Sequence, residues 1–200
     1  MTLRLALALT ALAPLAARAL PPVRSMVELR RAGVVCQGWD LSCGAAALST
    51  VLTYDVGDPV PEPEIVRALL TGADAARIRA RGGVSLLDLK RYAISRGHLA
   101  AGYGDLALEN LAALGTAIVP TLEPAGPHFM VFRGVVDGRV VLADPAYGVR
   151  TLPAERFQAM WKPRVAFVVR RRGGAPPDPG PGAVPLVSPR VLRGAIGAVP

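Results

Sequence analysis

Residues Gln37-Gly38-Trp39-Asp40-Leu41-Ser42-Cys43-Gly44 put a cysteine at the entrance of an apolar run, Ala45 to Leu52, with a glutamine six residues ahead of it. A helix starting at Cys43 offers unpaired N–H groups and the positive end of a dipole, both of which favour thiolate over thiol. The glutamine amide can donate to an oxyanion forming beside the sulfur. Residues of these types at this spacing are the parts of an acyl-transfer site. Such a nucleophile needs a base, and the base needs an orienter. The chain has two histidines. His98 follows a helix-ending run and reads as a surface or half-buried polar residue. His128 opens the apolar run Phe129-Met130-Val131-Phe132, and Leu142-Ala143-Asp144-Pro145 follows sixteen residues later. A hairpin turning at Asp137-Gly138 would carry His128 and Asp144 on neighbouring strands, about three residues out of direct opposition, within the slack of a bulge.

The elements that must position these groups are legible from periodicity. Helices are expected over residues 43–54, with Ser42 as N-cap and Gly57 beyond the end, and over 63–70, with a further turn at 73–79. Ser85 is expected to cap an amphipathic helix over 86–96, and helices over 106–114 and 153–162 follow. Short strands are expected at 34–37, carrying Cys36 as a small apolar residue, and at 99–103. From Ala117 the period changes to two, giving strands at 117–122, 128–135, 139–142 and 164–169. Helices first and an antiparallel sheet second define an α+β class rather than a doubly wound sheet. Trp39, next to the cysteine, reads as core packing.

The chain carries a formal charge of +8, with 52% apolar and 19% charged residues, which makes it globular rather than disordered. Residues 1–19 read as a basic start, a short apolar run from Leu5 to Ala17 and the site Ala17-Arg18-Ala19, the pattern of a cleaved export signal. The apolar run is shorter than the roughly 20 residues of a membrane span. Cleavage after Ala19 implies a periplasmic or secreted protein with no stable membrane anchor. Without Arg4 and Arg18 the charge is +6, and most of that lies in the tail after residue 169. Only Arg170-Arg171-Arg172 clusters, and aromatics are 5%, so no nucleic-acid surface is expected. Thirteen of the last 28 residues, 173–200, are Gly or Pro, which predicts a loose or disordered tail. Cys36 and Cys43 are expected to stay unpaired. With two histidines and no zinc-ligand spacing, the reading includes no metal and no cofactor.

Taken together, the segments Gln37–Gly44, Gly83-Val84-Ser85-Leu86-Leu87-Asp88-Leu89, His128-Phe129-Met130-Val131 and Ala143-Asp144-Pro145-Ala146-Tyr147-Gly148 resemble the papain-like double-glycine cysteine peptidases, which trim bacteriocin leaders. They stand in that family's order over residues 30–170. The resemblance implies a papain-like fold over residues 20–172, Cys43 as nucleophile, His128 as base, Asp144 as orienter and Gln37 as oxyanion donor. It implies a peptide or protein substrate. The export signal, with no membrane spans and no phosphate-binding loop, makes the chain more similar to the stand-alone peptidases of functional-amyloid secretion. Two other readings stay open at this point: a module that escorts an exported peptide without cutting it, and an acyltransferase with the same Cys-His-Asp centre.

Overall fold

The computed structural model describes residues 23–71, 75–81, 83–173 and 184–185. The expected export signal lies outside the described residues, as does the tail except Gly173 and Val184–Pro185.

The chain runs α1 (Met26–Arg31), α2 (Cys43–Val51), α3 (Glu62–Thr71), α4 (Ala75–Arg81), α5 (Leu86–Ser95), β1 (Leu99–Gly104), α6 (Leu108–Leu114), β2 (Ala117–Glu123), β3 (Gly126–Val136), β4 (Arg139–Asp144), β5 (Gly148–Pro153), α7 (Ala154–Met160), β6 (Ala166–Arg170) and β7 (Val184–Pro185). The strands form one antiparallel sheet in the order β5-β4-β3-β2-β6-β1-β7. The expected α+β arrangement is therefore the one observed. Strand alternation divides the core between the two faces. Ile118, Val131, Ala143 and Phe167 pack against α2 and α5. Met130, Phe132, Leu142 and Val168 face the other way, toward residues of α6 and α7.

Helix α2 seats the cysteine. Ala45, Ala46, Ala47 and Leu48 are all fully buried, and so is Leu52 just beyond the helix. A helix apolar all round belongs inside a core. It does not run on to residue 54 as a regular helix. Leu52–Val56 form a π-helical turn, closed by Gly57 in the left-handed region at φ 73°. The widened turn carries Asp55, which accepts hydrogen bonds from Arg133 and Thr116.

The hairpin at Asp137-Gly138 forms as expected, with φ of 48° and 72° and Val136 opposite Arg139. Positive φ at both positions is the type I′ geometry that matches strand twist. A bulge at Arg133 shifts the register, so that Val131 faces Ala143 while Gly134 faces Val141. Continued by one residue, that register sets Asp144 opposite Met130. His128 is then the diagonal neighbour of Asp144 on the same face. The bulge also turns Arg133 out of the ladder toward Asp55 and the Gly33 carbonyl.

The structure differs from the sequence reading at three further places. Residues 34–37 form no strand, because Val35 donates to the Thr50 side chain and Gln37 to the Pro145 carbonyl instead of to a neighbouring strand. Helix α1 and strand β5 were not expected. Ser25 and Glu28 close a capping box on α1, and the whole helix is exposed, so it has no apolar stripe to read. In β5 only Gly148 and Leu152 are buried, too few to display a period of two. In the tail, Val184–Pro185 pair with Gly104 and Tyr103 beside β1.

Candidate active site

Cys43 is the first residue of α2, but Ser42 does not cap the helix. Its hydroxyl donates to the Trp39 carbonyl at 2.8 Å and accepts from the Trp39 N–H at 3.1 Å. A missing cap costs about 0.5–2 kcal/mol. Burying Leu48, Val51 and Leu52 contributes about 1.5–3 kcal/mol each, so the helix keeps its place uncapped. The consequence is chemical: the first-turn N–H groups stay available to the sulfur. Gly44 is required here by packing, since a Cβ would lie 2.5 Å from Val84 Cγ2 and 3.1 Å from the Phe129 ring.

His128 Nε2 lies 2.8 Å from Asp144 Oδ1, and the histidine also hydrogen-bonds the Cys43 thiol. With Nε2 committed to Asp144, Nδ1 is the nitrogen left to face the sulfur. Asp144 is fully buried, and its Oδ1 also accepts from the Ala146 N–H at 2.9 Å. The structure thus brings Cys43, His128 and Asp144 into one chain of contacts.

The electrostatics favour a charged pair. Burial pushes the Cys43 thiol up. The hydrogen bond and positive charge of His128, with the backbone N–H groups of Phe129 and Gly44, outweigh burial and hold the thiol below its ordinary value. Burial works against the His128 imidazolium too, but Asp144 and Cys43 together raise it to about 9. The Asp144 carboxyl is likewise pushed up by burial, yet His128, the Ala146 N–H and Arg150 keep it below the usual carboxylate range. Both shifts favour the thiolate–imidazolium pair, the form that attacks carbonyl carbon.

Gln37 is tied to this centre through its backbone, whose N–H donates to the Pro145 carbonyl at 2.9 Å, directly after Asp144. Its side-chain Nε2 donates to the Trp39 carbonyl at 3.0 Å and reaches the Asp40 carbonyl at only 3.5 Å. Two carbonyls around the nitrogen settle which way the amide points. Trp39 is not a core residue, being 54% exposed. The Gly38 N–H donates to both carboxylate oxygens of Glu62, at 3.0 and 3.1 Å. Glu62 is buried at the start of α3, and nothing in its local sequence marked it as the anchor of this loop.

A cavity of about 360 Å³ opens beside Ser42 and Ala45, lined by Trp39, Leu41, Val66, Leu69, Ile78 and Val84. Trp39 and Leu41 form its exposed rim. Gly83 and Val84 supply part of its wall, and the next residue, Ser85, caps α5 as expected, through a capping box with Asp88. His98 stands apart from the cysteine. Its Nε2 lies 2.8 Å from Asp58, which Arg96 also grips, so it serves a polar cross-link as expected. Cys36 and Cys43 are both free thiols.

A cysteine at a helix N-terminus, facing a histidine on an antiparallel sheet, is the architecture of a papain-like cysteine peptidase. Comparison with known proteins narrows the class. Residues 31–173 match the peptidase C39 family. The chain is 35% identical to the protein named "Probable functional amyloid protease FapD" of Pseudomonas aeruginosa, over 78% of this chain and 72% of that protein. It is also 35% identical to the protein of the same name from Pseudomonas fluorescens, over 76% of this chain and 66% of that one. Among solved structures, a double-glycine-motif protease from an AMS/PCAT transporter, crystallised with the leader peptide, superposes with a TM-score of 0.56. That protein is 25% identical, and the match covers 69% of this chain and 90% of the other. The peptidase domain of Streptococcus ComA, a bifunctional ABC transporter, superposes with a TM-score of 0.55 at 18% identity, over 70% and 98% of the two chains, a likeness of fold. The chain belongs to the peptidase C39 family and is a cysteine peptidase. Family membership decides between cutting and mere escort in favour of cutting.

Proposed function

We propose that Cys43, His128, Asp144 and Gln37 are the catalytic set, and that the enzyme cleaves an exported polypeptide outside the inner membrane, in the secretion of an amyloid-like product. The observation that carries the site reading is the contact chain Cys43–His128–Asp144. The export signal read in residues 1–19 and the likeness to the two FapD proteins support the setting.

The steps follow from the positions. The Cys43 thiolate attacks a peptide carbonyl carbon. The oxyanion takes hydrogen bonds from the Gln37 amide and the Cys43 backbone N–H. His128 gives its proton to the leaving amine, the C–N bond breaks and a thioester remains. Water, deprotonated by His128, then hydrolyses the thioester. Asp144 holds the imidazole in one orientation and remains ionised. Replacing Gln37 with Ala is expected to lower kcat by about 10²–10³-fold with KM little changed. Steady-state kinetics on a cleaved peptide check this, and an unaltered kcat would remove Gln37 from the set.

The apolar cavity beside Cys43 receives an apolar side chain of the substrate near the scissile bond. A Val66→Asp variant puts a carboxylate on its wall. On a library of synthetic peptides, the wild type is expected to select apolar residues at one fixed distance from the cut, and Val66→Asp to raise KM about tenfold or more while kcat holds. Equal cleavage of peptides with charged residues at every position would contradict this use of the cavity.

A further inference from the structure

Asp144 has a second oxygen, which the catalytic reading does not use. Oδ2 is buried, and the group facing it is Nε of Arg150 on β5, 3.0 Å away. The N–H is not aligned for a hydrogen bond, so the contact is held by charge. The far end of the same guanidinium is also engaged. Its Nη2 bonds Glu123 Oε1 at the end of β2 and lies 3.2 Å from Met130 Sδ, and its plane lies 5.6 Å from the Tyr147 ring centre. Strand parity explains the cluster. Leu142 and Arg150 are paired residues on β4 and β5, so Arg150 is the diagonal neighbour of Asp144. Glu123, Met130 and His128 share that face by alternation along β2 and β3.

We propose that Arg150, clamped between Glu123 and Asp144, is a positioning residue that locks the Asp144 carboxylate in the one rotation that serves His128. This rests on the catalytic reading above. The physics is that of a carboxylate with two different jobs. Oδ1 takes the imidazole and the Ala146 N–H, while Oδ2 makes no hydrogen bond among the described residues, and the Arg150 charge 3.0 Å away offsets its burial and opposes rotation or the entry of water. Arginine suits the task where lysine does not, since its planar fork contacts two acids at once while a single ammonium cannot span them. Glu123 in turn fixes the fork and balances its charge. The charged groups facing Asp144 are thus His128 from β3 and Arg150 from β5, and those facing His128 are Asp144 from β4 and Cys43 from α2. Arg150 contacts Asp144, Glu123, Met130 and Tyr147, and its link to His128 runs through Asp144.

The experiment follows the His128 Nε2–H proton by NMR at pH 6 in the full chain with Cys36 replaced by Ala, the line being assigned by its loss in His128→Gln. In the parent, a downfield line protected from water is expected. In Arg150→Met the solvent exchange of that proton is expected to quicken about tenfold or more, with the methyl spectrum retained, and alkylation of Cys43 by iodoacetamide at pH 6 to slow about tenfold. If Arg150→Met does not fold, Arg150→Lys carries the test with a smaller loss, about threefold, in both readouts. An unchanged proton line and alkylation rate in the folded Arg150 variant, with Asp144→Asn altering both, would overturn the clamp and leave the Cys-His-Asp reading standing. Indifference of both readouts to Asp144→Asn would overturn that reading and the clamp with it.

Discussion

Cys43→Ala leaves a folded protein that no longer cleaves. The expected loss is about 10⁵–10⁶-fold in kcat, the size seen when a covalent nucleophile is removed and the rest of the site remains. The fold is expected to survive because Cys43 lies at the rim of the core. The apolar body of α2, from Ala45 to Leu52, is untouched, and alanine is the best helix former. The same change isolates the charge pair. Without the sulfur, His128 loses one of the two partners that raise it to about 9, so its pKa should fall. Three measurements check this: peptide cleavage, labelling by a thiol-reactive peptide-like probe, and thermal melting. Wild-type cleavage by the alanine variant would end the mechanism, and a lost fold would place Cys43 in the structure instead of the chemistry.

Asp144→Asn has the second largest expected effect, although the side chain keeps its shape. Asp144 Oδ1 accepts from His128 Nε2 and from the Ala146 N–H, while Oδ2 faces the Arg150 guanidinium. An asparagine must turn its NH2 toward one of these. Toward Arg150, two donors meet with no acceptor between them. Toward His128, the imidazole is forced into the wrong tautomer. Either choice also removes the negative charge that stabilises the imidazolium. The expected loss in kcat is about 10³–10⁴-fold. The pH dependence carries the sign. In the wild type the imidazolium persists until pH passes about 9, and above that the leaving amine finds no proton, so activity falls. With the anion gone, the imidazolium titrates lower and the alkaline limb moves toward neutrality. A pH–rate profile tests this, and an alkaline limb that stays in place would show that Asp144 does not act on His128.

Much of this site was legible in the residues themselves. The helix that begins at Cys43, the proposed nucleophile, could be read because Gln37, Cys43, Gly44 and the alanine run are contiguous, and a helix start imposes its chemistry locally. The choice of His128 over His98 could also be read, because one opens an apolar strand and the other follows a helix end. The turn at Asp137-Gly138 announces its own geometry, so the pairing of His128 with Asp144 followed to within a few residues. Ser42 departs from its local signal. Its type and place are those of an N-cap, but its hydroxyl is spent on Trp39. Trp39 departs from its type as well, since a large aromatic belongs in a core until a cavity gives it a rim to occupy.

What the sequence by itself determined, then, is the residue types from which the proposed site is drawn and the order of the elements that carry them. Those depend on residue type, on short spacing and on periodicity, which are local properties of a chain. Tertiary structure decided the rest. The bulge at Arg133 sets the offset that makes His128 the diagonal neighbour of Asp144. Glu62 holds the Gly38 loop from 24 residues away, and Arg150 faces the hidden oxygen of Asp144 while bonded to Glu123, 27 residues back. These contacts join residues remote in sequence through strand register and burial, and no local pattern encodes a partner that only folding brings near.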